Sequence, residues 1–314
     1  MESVGETTPG PSSDGGAAAV LGRLGGIAVW GELRAAGVSR QQLRHAVSGG
    51  EVVRQGRGRY ALATADEQLA LAHALTGVLS HTSAALRHGW KVKTPPEQAH
   101  VVVRRDRRLR DGREGAAVVR YRDLSSDDLR HGVTAPLRTV LDCARDLPFD
   151  EALAVADSAL RSRDLEPHQL RVAARALQGP GAARARRVAE HASALAANPF
   201  ESVLRALALD CGLAVVPQHQ IWEDGLWATV DVADPALRLA LEAESLEFHA
   251  DRRSLRRDTH RYDVLAVFGW TVLRFTWEHV MLHPEFVRWA LVSWVRAQEG
   301  HVPAAPPVLP AWHG

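Results

Sequence analysis

The apolar positions of this chain change their spacing along its length, and the changes divide it. The first seventeen residues, rich in Gly, Ser, Pro and Thr, carry no apolar run and read, to about residue 20, as a disordered N-terminus. From residue 22 a compact pattern begins. Glu32 to Ala36 reads as the end of a short helix stopped by Gly37. Ser39 is a good N-cap for a second helix, Arg40 to Ser48. Val52 to Arg54 and Arg59 to Leu62 read as two strands around Gln55-Gly56-Arg57-Gly58. Helix, tight turn, helix and Gly-turned hairpin is the order of a winged helix-turn-helix over residues 21–65.

Residues 66–196 form a mixed and then helical middle region. Helices are expected over Asp66–Leu75 and from Ser80 to Arg87. Strands are expected at His100–Val103 and Ala117–Tyr121, flanking the charged loop Arg104 to Arg113. From residue 136 the chain is rich in Ala, Leu and Arg and reads as helices divided at Gly179-Pro180-Gly181.

Residues 197–298 change character. Asn198-Pro199 opens a helix with apolar residues Phe200, Val203, Leu204 and Leu207 at helical spacing. Trp227–Ala233 and Leu237–Ser245 read as strands joined by Asp234-Pro235. Asp251–Phe268 reads as a helix stopped by Gly269, Trp270–Phe275 as a strand, and Pro284 opens a last helix to about Arg296. Residues 299–314 are a Pro-rich tail. The fold class expected is α+β: a winged helix-turn-helix, a mixed and helical middle, and a C-terminal α/β domain with a mixed central sheet.

Composition narrows the picture little. The chain has 314 residues, 46% hydrophobic and 24% charged, with a formal charge of +1, so bulk charge announces no polyanionic partner. The positive charge is nearly all arginine, Lys91 and Lys93 being the only lysines, and arginine's planar fork suits phosphate. Two distant cysteines, Cys143 and Cys211, exclude a disulfide scaffold and a zinc cluster. With no basic start, signal-peptide run or membrane-length apolar stretch, the chain reads as cytoplasmic, with no membrane partner.

The chemistry concentrates in Leu237–Ser245. Alternation puts Leu239, Leu241 and Ala243 on one face and Glu242 and Glu244 on the other, ~7 Å apart at a rise of ~3.3 Å per residue. Two same-face carboxylates repel, and either bulk water or a cation must offset that. The turn brings Asp231 back toward Glu242, and Glu201 comes from the preceding helix. A hard cation such as Mg²⁺ (or Mn²⁺) takes oxygen ligands and can activate water for phosphodiester cleavage. Asp231 and Glu242 are the first-choice ligands, Glu244 is the third ligand or positions the water, and Glu201 completes the shell through a water. The competing reading is a solvated strand face, with Glu201 pairing with Arg205 one turn away. His249 is a candidate to act as general base or to hold the scissile phosphate; the competing reading is a surface or packing residue. The following helix carries Arg256, Arg257 and Arg261, which read either as a phosphate-binding face or as a solvated one.

The segments ANPFESVLRALALDCGL, TVDVADPALRLALEAESLEFHADRR and RRDTHRYDVLAVFGWTVLRFTWEHV resemble the domain-of-unknown-function family 559. That family is related to the very short patch repair endonucleases within the PD-(D/E)xK nuclease superfamily. The resemblance covers nearly all of residues 198–290 and implies a restriction-endonuclease-like domain with Glu201, Asp231, Glu242, Glu244 and His249 at its site. Two features depart from the family pattern. Glu244-Ser245 stands where an Asp-Gly pair is expected, and no lysine follows Lys93. In the patch-repair branch the superfamily's lysine is likewise not used and a His is prominent, so the resemblance implies His249 as the substitute. GGIAVWGELRAAGVSRQQLRHAVSGGEVVRQGRGRYAL resembles the winged-helix domain of AbiEi-type antitoxins. If that domain binds DNA, Arg40, Gln41 and Arg44 would approach a major groove and Arg57 and Arg59 would contact phosphate; the competing reading is a winged helix that mediates protein contacts.

Two functions therefore follow as expectations. One is a metal-dependent DNA endonuclease targeted by its winged helix. The other is an AbiEi-like antitoxin or transcriptional regulator whose nuclease-like domain is catalytically degenerate. DNA is the expected partner of both, and a toxin or a second copy of the chain is a further partner the second admits.

Overall fold

The computed structural model describes residues 16–107, 109, 114–244 and 252–309. The chain separates into two units, one taking residues up to Ser83 and Pro96–Ala135, the other Ala84–Pro95 and the chain from Pro136 onward. The architecture is α+β in the sense expected from the alternating periodicities. Among the described residues no helix is long and apolar enough to cross a membrane.

The first unit begins with a helix, α1 (Ala17–Arg23), where a loose tail was expected to reach residue 20. Its alanines favour helix intrinsically, and Val20 and Leu21 are buried with Leu33, Leu43 and Val52. β1 (Ile27–Val29), α2 (Trp30–Ala35) and α3 (Arg40–Ser48) follow. Ser39 and Gln42 form a reciprocal capping box at the start of α3: each backbone N–H is accepted by the other's side-chain oxygen, at 2.8 and 3.2 Å. Gly37, before the cap, has φ +88°, a conformation that L side chains rarely adopt. β2 (Val52–Gly56) and β3 (Arg59–Leu62) form the hairpin, and β1 adds to its other edge to give the order β1-β3-β2.

α4 (Glu67–Ala74), capped by Asp66, leads to β4 (Val78–Leu79) and α5 (His81–Arg87), whose last turn belongs to the second unit. β5 (Ala99–Val103) lies between antiparallel β4 and parallel β6 (Ala117–Tyr121). Val101, Val102 and Val103 are fully buried, which suits a central strand covered on both faces. α6 (Ser126–His131) closes this unit.

In the second unit α7 (Pro136–Asp146), α8 (Phe149–Arg161), α9 (Pro167–Ala176) and α10 (Ala182–His191) pack around Val140, Cys143, Val155, Leu170 and Val188. The Gly-Pro-Gly break between α9 and α10 has a steric reason. Gly181 has φ +78°, and a Cβ there would lie 2.7 Å from the Arg145 carbonyl oxygen.

α11 (Pro199–Asp210) then packs on a four-stranded sheet made of β7 (Val216–Glu223), β8 (Leu226–Asp234), β9 (Leu239–Glu244) and β10 (Thr271–Thr276). Its order is β10-β9-β8-β7, with β9 and β10 parallel and the other pairs antiparallel. The parallel pair is joined through α12 (Arg252–Val267). α13 (Trp277–Met281) and α14 (Pro284–Gln298) complete the chain. Leu239 and Leu241 face α11 and α14, whereas Ala240 packs with Leu265 of α12 and Trp270. The sheet is thus covered on both faces, and alternation along β9 assigns each residue its side.

Candidate active site

Glu201 sits in the first turn of α11, held there by the cap. Asn198 Oδ1 accepts the Glu201 N–H at 3.0 Å while Asn198 Nδ2 donates to Glu201 Oε1 at 3.0 Å. The Ala197 N–H and Gln218 Nε2 both donate to Glu201 Oε2, at 2.9 and 3.0 Å. Burial raises the pKa of this carboxyl, the Ala197 N–H works against that rise, and Asp231 adds to it. The competing pairing with Arg205 does not form. Arg205 instead meets Asp157 of α8 at 2.6 Å, both side chains buried.

Asp231 lies on β8 between two buried valines. Gln218 Nε2 donates to its Oδ1 at 3.2 Å, and the Ala243 N–H of β9 donates to its Oδ2 at 2.9 Å. Gln218 therefore gives one amide nitrogen to two carboxylates. It does so from a left-handed backbone, φ +48°, in the edge strand β7. Sequence patterning overlooked β7 and Gln218 with it.

Glu242 faces Asp231 from β9. It is only 6% exposed, and its pKa is pushed up to about 8, first by burial and then by the charge of Asp231. Arg261 of α12 acts in the other direction, with Nη1 3.0 Å from Glu242 Oε1. The same nitrogen donates to the Thr229 carbonyl at 3.1 Å, and Nη2 donates to the Tyr262 hydroxyl at 2.9 Å. Arg261, expected on a phosphate-binding face, is turned in toward the sheet.

Glu244 is placed differently from the expected third ligand. Its Oε1 accepts from Arg274 Nε at 2.7 Å and from the Tyr262 hydroxyl at 2.9 Å. These bonds, Arg274 foremost, hold its pKa below the ordinary carboxylate range. Two guanidinium groups lie against the Tyr262 ring, Arg261 4.7 Å and Arg274 4.5 Å from its centroid. Burial, and then the bond to Glu244, push the Tyr262 hydroxyl up to about 12. The physical cause of the departure is the parallel register of β10, which sets Arg274 beside β9. A strand arginine next to an acidic strand was the signal available for it.

The site thus joins Glu201 and Asp231 through Gln218, sets Glu242 beside them on β9, and gives Glu244 partners of its own. Among the described residues no group of three or more His, Cys, Asp or Glu is placed to hold a metal ion. The pair Asp231 and Glu242 nevertheless fits a hard cation: two mutually repelling carboxyls, one buried, make a donor set of oxygens only. Magnesium commonly takes one or two carboxylates and fills its remaining positions with water and phosphate. His249 lies outside the described residues, as do the side chains of Arg256 and Arg257.

In the first unit, Arg40, Arg44, Arg54 and Arg57 line one concavity of about 700 Å³ between α3 and the hairpin, with Ser48 and Tyr60. Arg40 lies 5.6 Å from the centroid of the Trp30 ring. Gln41 is exposed on the same helix. Arg59 is placed apart from this group. Its Nη1 bonds the His73 carbonyl at 3.2 Å and His73 Nδ1 at 3.3 Å, and burial lowers its pKa, followed by Arg107.

Comparison with known proteins adds relatives without a described activity. Two proteins of Mycobacterium tuberculosis, named uncharacterized protein MT2308 and uncharacterized protein Rv2248, are each 35% identical to this chain over 155 residues. That match covers 48% of this chain and 57% of each relative, so it spans little more than half of their length. The crystal structure of the RV2827C protein from Mycobacterium tuberculosis is 17% identical, with a TM-score of 0.33, over 65% of this chain and 87% of that one. No family model matches the chain.

Proposed function

We propose that the second unit is a metal-dependent DNA endonuclease and that the winged helix of the first unit binds DNA. The observation that carries this reading is the placement of the Asp231 carboxylate beside β9, where it accepts the Ala243 N–H at 2.9 Å next to the buried Glu242. Buried like charges in contact are costly, and clefts that maintain such a pair are where acid–base or metal chemistry is found. Asp231 and Glu242 would hold Mg²⁺ or Mn²⁺. Bound there, such an ion supplies a water acidified for attack and neutralises charge developing on the phosphate.

The chain's own residues do the rest. Gln218 fixes Glu201 and Asp231 at one nitrogen. Glu201, still able to accept a proton, stands beside the pair as the acid–base group. Arg261 bridges Glu242 and the Thr229 carbonyl, holding the β9 carboxyl at the sheet. The concavity lined by Arg40, Arg44, Arg54 and Arg57 offers guanidinium groups to phosphate.

A second reading is an AbiEi-like antitoxin or regulator with a degenerate site. The ion pairs Arg261–Glu242 and Arg274–Glu244 favour it, because each gives a candidate ligand a cationic partner from the protein itself. The two readings part in a nicking assay on supercoiled and single-stranded DNA with Mg²⁺ or Mn²⁺. Cleavage that disappears in Asp231→Ala and Glu242→Ala supports the enzyme. Equal cleavage by wild type and variants removes it, and sequence-specific retardation of DNA without cleavage favours the regulator.

A further inference from the structure

Helices α9 and α10 hold arginines that their surroundings do not balance. Residues 167–191 contain five arginines, Arg171, Arg175, Arg184, Arg186 and Arg187, and one carboxylate, Glu190. Arg187 is engaged: it bonds Asp210 at 2.7 Å and lies 3.8 Å above the Phe149 ring. Arg171, Arg175 and Arg186 are exposed and line a shallow pocket of about 280 Å³ between the two helices. Among the described residues none of the three has an ion-pair partner, and Arg186 makes only a 3.4 Å bond to the Leu177 carbonyl. Glu190 is the single acid in the pocket lining.

The small residues beneath explain why the three cations converge. Ala174 and Ala189, both buried, line the floor, and their methyl groups let the helices approach closely. Arg171 and Arg175 are one turn apart on α9, with Cβ atoms roughly 6 Å apart, a like-charge spacing that disfavours a helix. A phosphate reverses the sign of that interaction, and the guanidinium fork matches it geometrically.

We infer that the α9–α10 pocket binds a phosphodiester of the nucleic acid on which the carboxylate site of the same unit acts. This rests on reading Glu201, Asp231 and Glu242 as a nucleic-acid site. A short chain of contacts within the unit leads from one to the other. The His191 carbonyl, at the end of α10, accepts from Arg205 Nη1 at 2.5 Å, and Arg205 is one turn along α11 from Glu201. Arg186 lies about 8 Å along α10 from His191 at the α-helical rise. A duplex carries a charge every ~1.7 Å of its axis, so one backbone offers enough phosphates for the pocket and the carboxylates to take different ones.

The test is binding of a fluorescent duplex to the full chain between about 50 and 200 mM salt. The variant Arg171→Ala/Arg175→Ala/Arg186→Ala should bind at least tenfold more weakly. Its log–log salt slope should be shallower by about 0.9 for each phosphate that the variant no longer neutralises. Replacing the same three by Lys should restore most of the slope, and an unchanged thermal midpoint should show that the alanine variant folds. If the alanine variant keeps the wild-type slope while Arg40→Ala/Arg44→Ala reduces it, the pocket inference is overturned and the nucleic-acid reading stands. If wild type binds no DNA, both are overturned. If inorganic phosphate or phosphatidylserine vesicles engage the three arginines while the DNA slope is unchanged, the inference also fails, because the anion is then free phosphate or a lipid headgroup.

Discussion

Arg261 Nη1 lies 3.0 Å from Glu242 Oε1, so the carboxyl that burial and Asp231 drive upward is the one that α12 partly compensates. The balance leaves Glu242 near 8, and this has a definite sign for stability. In the unfolded chain this carboxyl loses its proton near 4.5, whereas in the folded chain it keeps it to about 8. Stability from this group is therefore fully present below about 4.5 and is lost as pH rises toward 8. Glu242→Gln is neutral throughout, so its stability relative to wild type should grow across that window. Denaturant midpoints at both ends of it measure the effect, and identical pH dependence of the two proteins would refute the assignment.

A cation at the same carboxyls must compete with that proton. Mg²⁺ or Mn²⁺ should therefore raise the wild-type thermal midpoint more at pH ~8 than at pH ~5. Asp231→Ala should abolish the pH-dependent part of the shift. A metal-induced shift of equal size at both pH values, or one that survives in Asp231→Ala, would place the metal elsewhere.

Gln218 is the residue that makes two carboxylates into one unit, yet its backbone costs roughly 1–2 kcal/mol in the left-handed region. The two effects separate by substitution. Gln218→Gly removes the strain and both hydrogen bonds, so it should preserve or raise the urea midpoint. The Mn²⁺ concentration needed for half-maximal thermal stabilisation should rise about 10–100-fold, as on loss of a group that orients ligands. Gln218→Ala should weaken the metal similarly and gain no stability. An unchanged metal requirement in both variants would reduce Gln218 to a structural residue.

What could be read in advance follows from how much each segment depends on its neighbours. The Ser39 cap and α3 were legible because a capping box is local chemistry. β9 was legible because Leu239 and Leu241 alternate with Glu242 and Glu244 and both faces are used. β7 was not, because an edge strand needs only one partner and so tolerates Pro217 and three polar residues, Gln218, His219 and Gln220, which hide any alternation. Helical spacing puts Arg261 on α12, but which way it faces is decided by Glu242 and Thr229, from strands far away in sequence. The partners of Glu244 were hidden for the same reason: the register that places Arg274 beside β9 is tertiary.

Asp157 and Arg205 make the strongest stability prediction. Both are essentially unexposed, at 2.6 Å from each other, and Asp157 also accepts the Ser193 N–H at 2.8 Å. Removing one partner leaves the other charge buried, so Arg205→Ala should cost about 3–5 kcal/mol. The loss should exceed what a helix-surface arginine gives, and the urea midpoint measures it. Replacing both by apolar residues of similar volume, Asp157→Leu with Arg205→Met, should recover much of the loss. A cost for Arg205→Ala below about 1 kcal/mol, the range of exposed pairs, would show that the pair is not buried in solution.

Two arginines from the same winged helix should behave oppositely, and this separates a binding surface from a packing one. Arg44 is exposed on α3 within the basic concavity, while Arg59 is half-buried on β3 and tied to His73. Burial, then Arg59, push His73 down to about 4, so His73 meets Arg59 as a neutral ring near neutral pH. Arg44→Ala, alone or with Arg40→Ala, should leave the thermal midpoint unchanged. It should weaken DNA binding and make the salt slope shallower by about 0.9 for each phosphate left without its arginine. Arg59→Ala should lower the midpoint by the equivalent of about 1–3 kcal/mol, since the buried His73 carbonyl loses its charged donor. In Arg59→Ala the salt slope should stay as in wild type. A shallower slope with intact stability in Arg59→Ala would mean that this side chain leaves His73 to reach phosphate, as a wing arginine is expected to do. Measuring both quantities for both variants decides whether either surface meets DNA.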